Sequence, residues 1–168
     1  MTGNINARLL GAAVVVACAL HAGLPLAAEA TIGKNEQPIH DAARMGTRQD
    51  VEKLLKASPQ SRDARTDLGA TPLHYAALNE DSGPLLALIA AGANVNARDK
   101  EGMTPLHMAA FATRTSHAIP LLQAGADPML KTDAGRDVLS MGRKVRADEF
   151  VGVVSLWLLK GCKPHKPC

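Results

Sequence analysis

The chain is poor in aromatic side chains, with two phenylalanines, one tyrosine and one tryptophan among 168 residues. So few rings supply neither a platform on which nucleic-acid bases could stack nor an aromatic pocket for a cofactor. The formal net charge of +3 is also too small to indicate nucleic-acid binding. We therefore predict no nucleic-acid partner and no cofactor.

The familiar sequence signatures of catalysis are missing as well. The chain contains no Gly-x-Ser-x-Gly nucleophile elbow, no phosphate-binding glycine loop, no His-Glu-x-x-His motif and no dinucleotide fingerprint. Ser82, Ser116 and Ser140 are expected in linkers or in a degenerate turn, and His117 in a solvated loop without a carboxylate partner. We therefore predict no catalytic residues, no metal site and no enzymatic activity.

The first 30 residues have the composition of a secretory signal peptide. Arg8 precedes an uncharged apolar run over residues 9–20, and a small-x-small cleavage site ends at Ala30. The apolar run is too short for a comfortable membrane span. We expect a mature chain that begins at Thr31, is not inserted in a membrane and is located in the periplasm.

A lipoprotein is the alternative interpretation of this segment. The sequence Val15-Val16-Ala17-Cys18 resembles a bacterial lipobox, in which Cys18 would be lipidated and retained. An uncleaved N-terminal anchor is a third possibility. In all three cases the rest of the chain would lie outside the cytoplasm.

A seven-residue string repeats with a period of 33 residues. Residues 71–77 read TPLHYAA and residues 104–110 read TPLHMAA, while a degraded copy, QPIHDAA, occupies residues 37–43. Gly-Ala-Asn or Gly-Ala-Asp follows each full copy, at residues 92–94 and 125–127. A fixed period of this length indicates a repeat architecture, in which each unit buries its apolar face only against its neighbours.

This pattern resembles the ankyrin repeat over residues 36–161. The resemblance implies an all-α solenoid of about four helix–turn–helix repeats with projecting β-turn fingers. Thr-Pro suits the N-cap and first position of a helix, and Gly92 and Gly125 suit the ends of the second helices. The expected segments are a leader at 31–35, repeats at about 36–66, 67–99, 100–132 and 133–161, and a tail at 162–168.

The two end repeats are expected to act as caps, because both have lost parts of the motif. The first carries a polar outer surface, and the fourth has lost the Pro and His of the motif at residues 135–141. Aromatic residues of the fourth repeat, Phe150 and Trp157, are expected to cover the last interface.

Two columns of polar residues recur at the repeat period. His40, His74 and His107 form the first, and a basic column has the same spacing: Arg65, Arg98 and Lys131. Residues one repeat apart form a ladder and do not converge on one point, which argues against a metal or catalytic role for the histidines. We expect each imidazole to hydrogen-bond backbone groups of the neighbouring turn, and the basic column to pair between repeats.

The resemblance also implies a concave groove that docks a protein partner. Carried over by position, its residues are Asp67, Leu68, Ala70, Leu78, Asn79, Lys100, Glu101, Met103, Phe111, Ala112, Asp133, Ala134 and Arg136. Phe111 and Met103 are the strongest anchor candidates, because they are apolar where the stack does not require it. The alternative is that Phe111 packs against its own helix pair.

The C-terminal tail contains a pair of cysteines. Cys162 and Cys168 are predicted to form a disulfide, because proximal cysteines at a terminus in an oxidising compartment are usually bonded. A zinc or copper site that adds His165, or intermolecular or redox-active thiols, are the alternatives. Three lysines between residues 160 and 166 make the tail basic, which favours a solvated end or contact with anionic lipid or an acidic partner.

These features predict a monomeric periplasmic module that binds another protein, as a scaffold or accessory protein for an envelope protein. The chain is similar to the small signal-peptide-bearing ankyrin proteins of Gram-negative bacteria, and this resemblance implies an accessory role more than chemistry. Two alternatives stay open. One is an inhibitor or immunity-type protein that blocks a periplasm-directed toxic enzyme, and the other is a metal- or redox-handling protein that works through the Cys/His tail.

Overall fold

The computed structural model describes residues 35–166. These residues belong to one compact unit, Thr31–Cys168. Signal-peptide cleavage after Ala30 and lipidation of Cys18 concern residues outside the described range. Cys168 also lies outside this range. The cleavage site, the lipidation of Cys18 and the Cys162–Cys168 disulfide therefore stay predictions.

Eight α-helices form four consecutive pairs within residues 35–166, and a short 3-10 turn, Pro59–Asp63, follows the first pair. The first helices of the pairs are α1 (Pro38–Met45), α3 (Pro72–Ala76), α5 (Pro105–Phe111) and α7 (Val138–Lys144). The second helices are α2 (Arg48–Ala57), α4 (Gly83–Ala90), α6 (Thr115–Gln123) and α8 (Asp148–Leu159).

The helices stack in two layers. Successive first helices, α1, α3, α5 and α7, contact one another, and so do successive second helices, α2, α4, α6 and α8. We call these the inner and the outer layer. No strand occurs in the described residues, and the predicted all-α repeat solenoid is confirmed. None of these helices is long and apolar enough to cross a membrane.

Helix boundaries follow the local chemistry of the sequence. Thr104 is the N-cap of α5, where its hydroxyl accepts a hydrogen bond from the backbone N–H of His107, and Pro105 takes the first helical position. The fourth repeat lacks Thr-Pro, but Asp137 caps α7 by accepting from the N–H of Ser140 at 2.7 Å. A different capping residue therefore preserves the helix start where the motif is degraded.

The glycines of the Gly-Ala-Asn/Asp strings end two outer helices, as predicted. Gly92 has φ +79° and lies just after α4, and Gly125 has φ +98° and lies just after α6. Glycine adopts positive φ without a Cβ clash, so the chain can leave the helix at this point.

The apolar core lies between the two layers and runs through all four pairs. Alanine pairs in or directly after the inner helices, such as Ala76–Ala77 and Ala109–Ala110, are fully buried and allow the layers to approach closely. Phe150 and Trp157 of α8 are buried at the last interface, so their predicted role is confirmed.

The predicted locations of Ser116, His117 and Ser140 are wrong. Ser116 and His117 lie in the first turn of α6, and Ser140 lies in α7. The imidazole of His117 is completely buried, and its Nδ1 lies 3.0 Å from Ser116 Oγ. The helix start was missed because the apolar pattern of α6 begins only at Ala118. Burial lowers the pKa of His117, so its ring is neutral near pH 7.

Candidate functional site

Three turns project before the inner helices α3, α5 and α7, at residues 66–70, 99–103 and 132–136. We call them the second, third and fourth fingers, after their repeats. In each finger the first N–H donates to the last carbonyl, at 3.0 Å in the second and third and 2.9 Å in the fourth. The glycine at the fourth position has φ between +73° and +75°, which closes the turn without a Cβ clash.

Hydrogen bonds also join neighbouring fingers to one another. The backbone N–H of Lys100 donates to the Leu68 carbonyl at 2.9 Å, and that of Asp133 donates to the Glu101 carbonyl at 3.0 Å. The three fingers therefore form one continuous edge, in which each tip is held by the next.

The basic column connects the bases of the fingers. Arg65 Nη1 donates to the Arg98 carbonyl, and Arg98 Nη1 donates to the Lys131 carbonyl, each at 2.8 Å. Arg98 Nη2 also lies 3.0 Å from the Asp133 carboxylate. The prediction that this column pairs between repeats is confirmed.

The histidine ladder ties each inner helix to the following finger or loop. Nε2 of His74 and of His107 lies 3.0 and 3.2 Å from a carbonyl oxygen of the next repeat, and Nε2 of His40 lies 3.1 Å from the Ala64 carbonyl, two residues before the second finger. In each ring Nδ1 accepts a backbone N–H at the start of the same helix. The predicted bridging role of the three histidines is confirmed.

Neutral imidazoles are what this arrangement requires. Burial is the largest influence on His74 and His107 and lowers the pKa of both rings. With Nδ1 accepting and Nε2–H donating, both ring nitrogens are engaged by backbone groups, so neither has a lone pair available for a metal ion or a substrate proton.

Two hollows lie along the fingers and inner helices. The first hollow has a volume of about 140 Å³ and is lined by Leu68, Ala70, His74, Tyr75, Leu78, Asp99 and Met108. The second hollow has a volume of about 350 Å³ and is lined by Lys100, Glu101, Met103, Thr132, Asp133, Ala134, Arg136 and Met141. The first is largely apolar, whereas charged side chains of both signs surround the methionines of the second.

Most of the predicted groove residues line these hollows. Leu68, Ala70 and Leu78 line the first, and Lys100, Glu101, Met103, Asp133, Ala134 and Arg136 line the second. Leu68 is 68% exposed, while Met103 is half-buried and packs against the core. Sequence position alone therefore did not separate exposed side chains from packed ones.

The remaining predicted residues lie elsewhere. Asp67, on the second finger, accepts a hydrogen bond from Asn35. Asn79 donates to the carbonyls of Ala43 and Gly46, both at 3.1 Å, so its amide holds the C-terminal end of α1.

Phe111 also lies outside both hollows, as the last residue of α5, and Ala112 is the C-cap of that helix. The Phe111 ring is 58% exposed. It therefore lies outside the core, and the alternative that it packs against its own helix pair is not supported.

Sequence reasoning missed three large side chains that line the hollows. Tyr75, Met108 and Met141 occupy the same repeat position, 33 residues apart, and it is the variable position within Thr-Pro-Leu-His-x-Ala-Ala. The flanking positions serve the stack alone, whereas this one also lines the hollows; Met141 is nevertheless only 7% exposed and belongs to the core. The sequence signal for this position was available: it is the only position at which the two full copies, residues 71–77 and 104–110, differ.

Tyr75 is held in a defined orientation by the first repeat. Its hydroxyl donates to Glu36 Oε1 at 2.9 Å, the Arg44 guanidinium lies 5.4 Å from the ring centroid, and His40 meets the ring edge-on. Partial burial raises the pKa of the phenol, so it stays protonated at neutral pH. The wall of the first hollow is thus preorganised.

No cluster of three His, Cys, Asp or Glu side chains within residues 35–166 is arranged to hold a metal ion. The Cys/His alternative of the sequence analysis includes Cys168, which lies outside this range. His165 is exposed, and its backbone N–H donates to the Gln123 carbonyl at 2.9 Å.

Comparison with known families gives one match. Residues 26–132 match the family model described as "Ankyrin repeats (3 copies)". No curated protein matches the chain significantly. The matched range ends before the fourth helix pair, where the sequence motif is degraded.

Proposed function

We propose that this chain, which belongs to the ankyrin-repeat family, is an exported, protein-binding scaffold or accessory protein. Repeats of this family are in general non-enzymatic modules for protein–protein interaction. The observation that carries the proposal is the pair of hollows whose walls include the variable column Tyr75, Met108 and Met141.

The chemistry of the hollows suits a segment of another protein. Leu68 of the first hollow and Met103 of the second supply apolar contact, and methionine adapts its shape to a partner side chain. Lys100, Glu101 and Arg136 supply charged groups around Met103. A buried apolar centre with a polar rim is the usual anatomy of a protein interface.

The fingers are rigid enough to bind without a large loss of entropy. Each finger is closed by its own backbone hydrogen bond and joined to its neighbour by another. A preorganised surface loses less conformational freedom on binding than a mobile loop does. This supports a role in recognition for the surface.

Export to the periplasm is part of the proposal and is supported by the signal-peptide composition of residues 1–30. The partner would then be an envelope protein. Mass spectrometry of the natural protein tests this part separately, because export with cleavage predicts an N-terminus at Thr31. An intact Met1 in the cytosol contradicts it.

Affinity capture from an envelope fraction tests the binding surface. The double variant Leu68→Ala/Met108→Ala should lose a partner that the wild-type protein retains, because both side chains line the first hollow and neither is fully buried. The matched control is Met45→Ala/Met129→Ala, since Met45 and Met129 are 69% and 60% exposed but line neither hollow. Equal recovery of every captured protein by all three forms would reject the groove as the binding site.

The same experiment separates a helper from an inhibitor. If the captured partner is an enzyme, its activity is measured with and without the purified wild-type protein. Unchanged or increased activity supports the scaffold or accessory role, whereas stoichiometric inhibition that the Leu68→Ala/Met108→Ala variant relieves assigns the inhibitor role.

A further inference from the structure

The C-terminal end of α8 exposes three leucines that the core does not use. Leu156, Leu158 and Leu159 are 51%, 38% and 84% exposed, although the helix buries Phe150 and Trp157. Phe150 and Trp157 are two turns apart and define the packed face. Leu156 and Leu159, one turn apart, share the opposite face of the helix.

A cluster of positive charge adjoins these leucines. Lys160, Lys163 and Lys166 are all exposed, and residues 150–166 contain no aspartate or glutamate. The carboxylates of Asp148 and Glu149 are at the other end of α8, roughly 16 Å away at 1.5 Å of rise per residue. The end of the helix therefore carries apolar and cationic groups without neutralising acids on the same segment.

Backbone hydrogen bonds hold the tail against the outer layer. The N–H of Cys162 donates to the Trp157 carbonyl at 3.2 Å, and the N–H of His165 donates to the Gln123 carbonyl of α6 at 2.9 Å. The lysines are consequently positioned beside the C-terminal ends of α6 and α8. We call the set Leu156, Leu158, Leu159, Lys160, Lys163 and Lys166 the basic–apolar end.

The segment between α6 and α7 contains three carboxylates, of which Asp133 pairs with Arg98 and Asp137 caps α7. Asp127 Oδ1 accepts a hydrogen bond from the backbone N–H of Met129 at 2.8 Å, which engages it within its own loop. All three carboxylates have partners of their own, and the side chains of the basic–apolar end carry only positive charge.

We propose that the basic–apolar end binds the surface of an anionic lipid bilayer. Leucine side chains enter the interfacial region of a bilayer, and lysines beside them are attracted to anionic headgroups. The two features together are what peripheral attachment requires, because neither a few leucines nor a few lysines alone gives stable binding.

Charge complementarity favours this occupant over a second copy of the chain. Two copies that met through this surface would bring two sets of three lysines together, and like charges in a desolvated contact repel. An anionic bilayer neutralises the same lysines. The groove residues belong to the fingers and the inner layer, so the proposal is independent of the protein-binding function.

Vesicle sedimentation tests the proposal on the protein in the form that the cell produces. Wild-type protein should sediment with vesicles of phosphatidylcholine mixed with phosphatidylglycerol, and not with phosphatidylcholine alone. High salt should weaken the binding, because it screens the lysine–headgroup attraction. Whatever remains of the N-terminal segment is the same in every variant, so it does not affect the comparison between them.

Two variants separate the contributions. Lys160→Gln/Lys163→Gln/Lys166→Gln should weaken binding roughly a hundred-fold, at about five-fold per lysine. Leu156→Ser/Leu159→Ser should weaken it at least about ten-fold. These side chains are exposed, so thermal unfolding of each variant should match the wild type. The matched controls are Lys53→Gln/Lys56→Gln/Lys144→Gln and Met45→Ser/Leu86→Ser, which change exposed residues elsewhere.

Several results would overturn the proposal. The first is that the protein does not sediment with anionic vesicles, and the second is that it sediments equally with both vesicle types. The third is an equal loss of binding in the control variants, which would show that the effect comes from net charge or general hydrophobicity and not from this surface. Concentration-dependent self-association that Leu156→Ser/Leu159→Ser abolishes, with no vesicle binding, would assign the surface to a second copy instead.

Discussion

Arg98 reaches from the base of the third finger to Asp133 on the fourth, with Nη2 3.0 Å from the carboxylate oxygen. Both side chains are substantially exposed, so the ion pair by itself contributes little to stability. Its position matters more than its energy. The pair lies directly over Gly102, where a Cβ would overlap both Arg98 and Asp133.

Replacing Gly102 by alanine should destabilise the protein more than the same change at Gly135. Both glycines have φ +73°, so alanine is strained equally at the two positions, by about 1 kcal/mol. A Cβ at Gly102 also displaces the Arg98–Asp133 pair and meets the backbone of Asp133, whereas nothing lies within 4 Å of one at Gly135. Urea denaturation of the two variants measures the difference in stability. Equal midpoints would show that the fourth finger shifts to accommodate the Cβ of residue 102 without any loss of stability.

Thr113 should be a site where a single substitution increases stability. This residue connects α5 and α6 with φ +57°, which a β-branched side chain rarely adopts. Thr113→Asn should increase the free energy of unfolding by about 0.5–1 kcal/mol, because asparagine tolerates the left-handed region. Thr113→Val keeps the branched Cβ and serves as the control. A gain in both variants, or in neither, would contradict the strain argument.

Mild acid should destabilise the fold through its buried histidines. Burial lowers the pKa of His74, His107 and His117 in the folded protein. The unfolded chain has histidine pKa values near about 6.5 and so binds protons first as the pH falls. The stability present above about pH 6.5 is therefore progressively lost below it.

Thermal unfolding between about pH 7.5 and pH 5 measures this loss. Asp50 and Asp137 have pKa values lowered by hydrogen bonds from Thr47 and Ser140, and their contribution declines only below about pH 3.8. The chosen window therefore isolates the histidines. His117→Gln should flatten the pH profile, because it removes one of the three buried histidines whose pKa burial lowers.

Phe111→Ala should leave stability nearly unchanged and weaken partner capture if the end of α5 belongs to the interface. The ring is 58% exposed, so truncation removes little buried area. Met103→Ala should differ, because Met103 packs against the core and its loss costs about 1–2 kcal/mol. Thermal unfolding and capture are measured on each variant separately. A drop of several degrees for Phe111→Ala would show that the ring is packed, and unchanged capture would remove it from the interface.

The sequence by itself determined the solenoid and the parts that recur in it. The 33-residue period, the Thr-Pro helix starts, the glycines after α4 and α6, and the histidine ladder were all readable from the chain. The physical reason is that these features depend on local backbone chemistry or on the next repeat, which carries the same motif at the same position.

Only the tertiary structure decided which side chains of the solenoid are buried, which bond to neighbouring repeats and which line the hollows. Asn79 was predicted to bind a partner, yet its amide holds α1, and His117 was predicted in solvent, yet it is buried. The hollow-lining roles of Met108 and Met141 likewise emerged only from the packed structure. A side chain is buried, or lines a hollow, because of where adjacent repeats place their own atoms. The 33-residue period predicts which residues are adjacent in the stack, but the packing of their side chains decides how much of each side chain remains exposed.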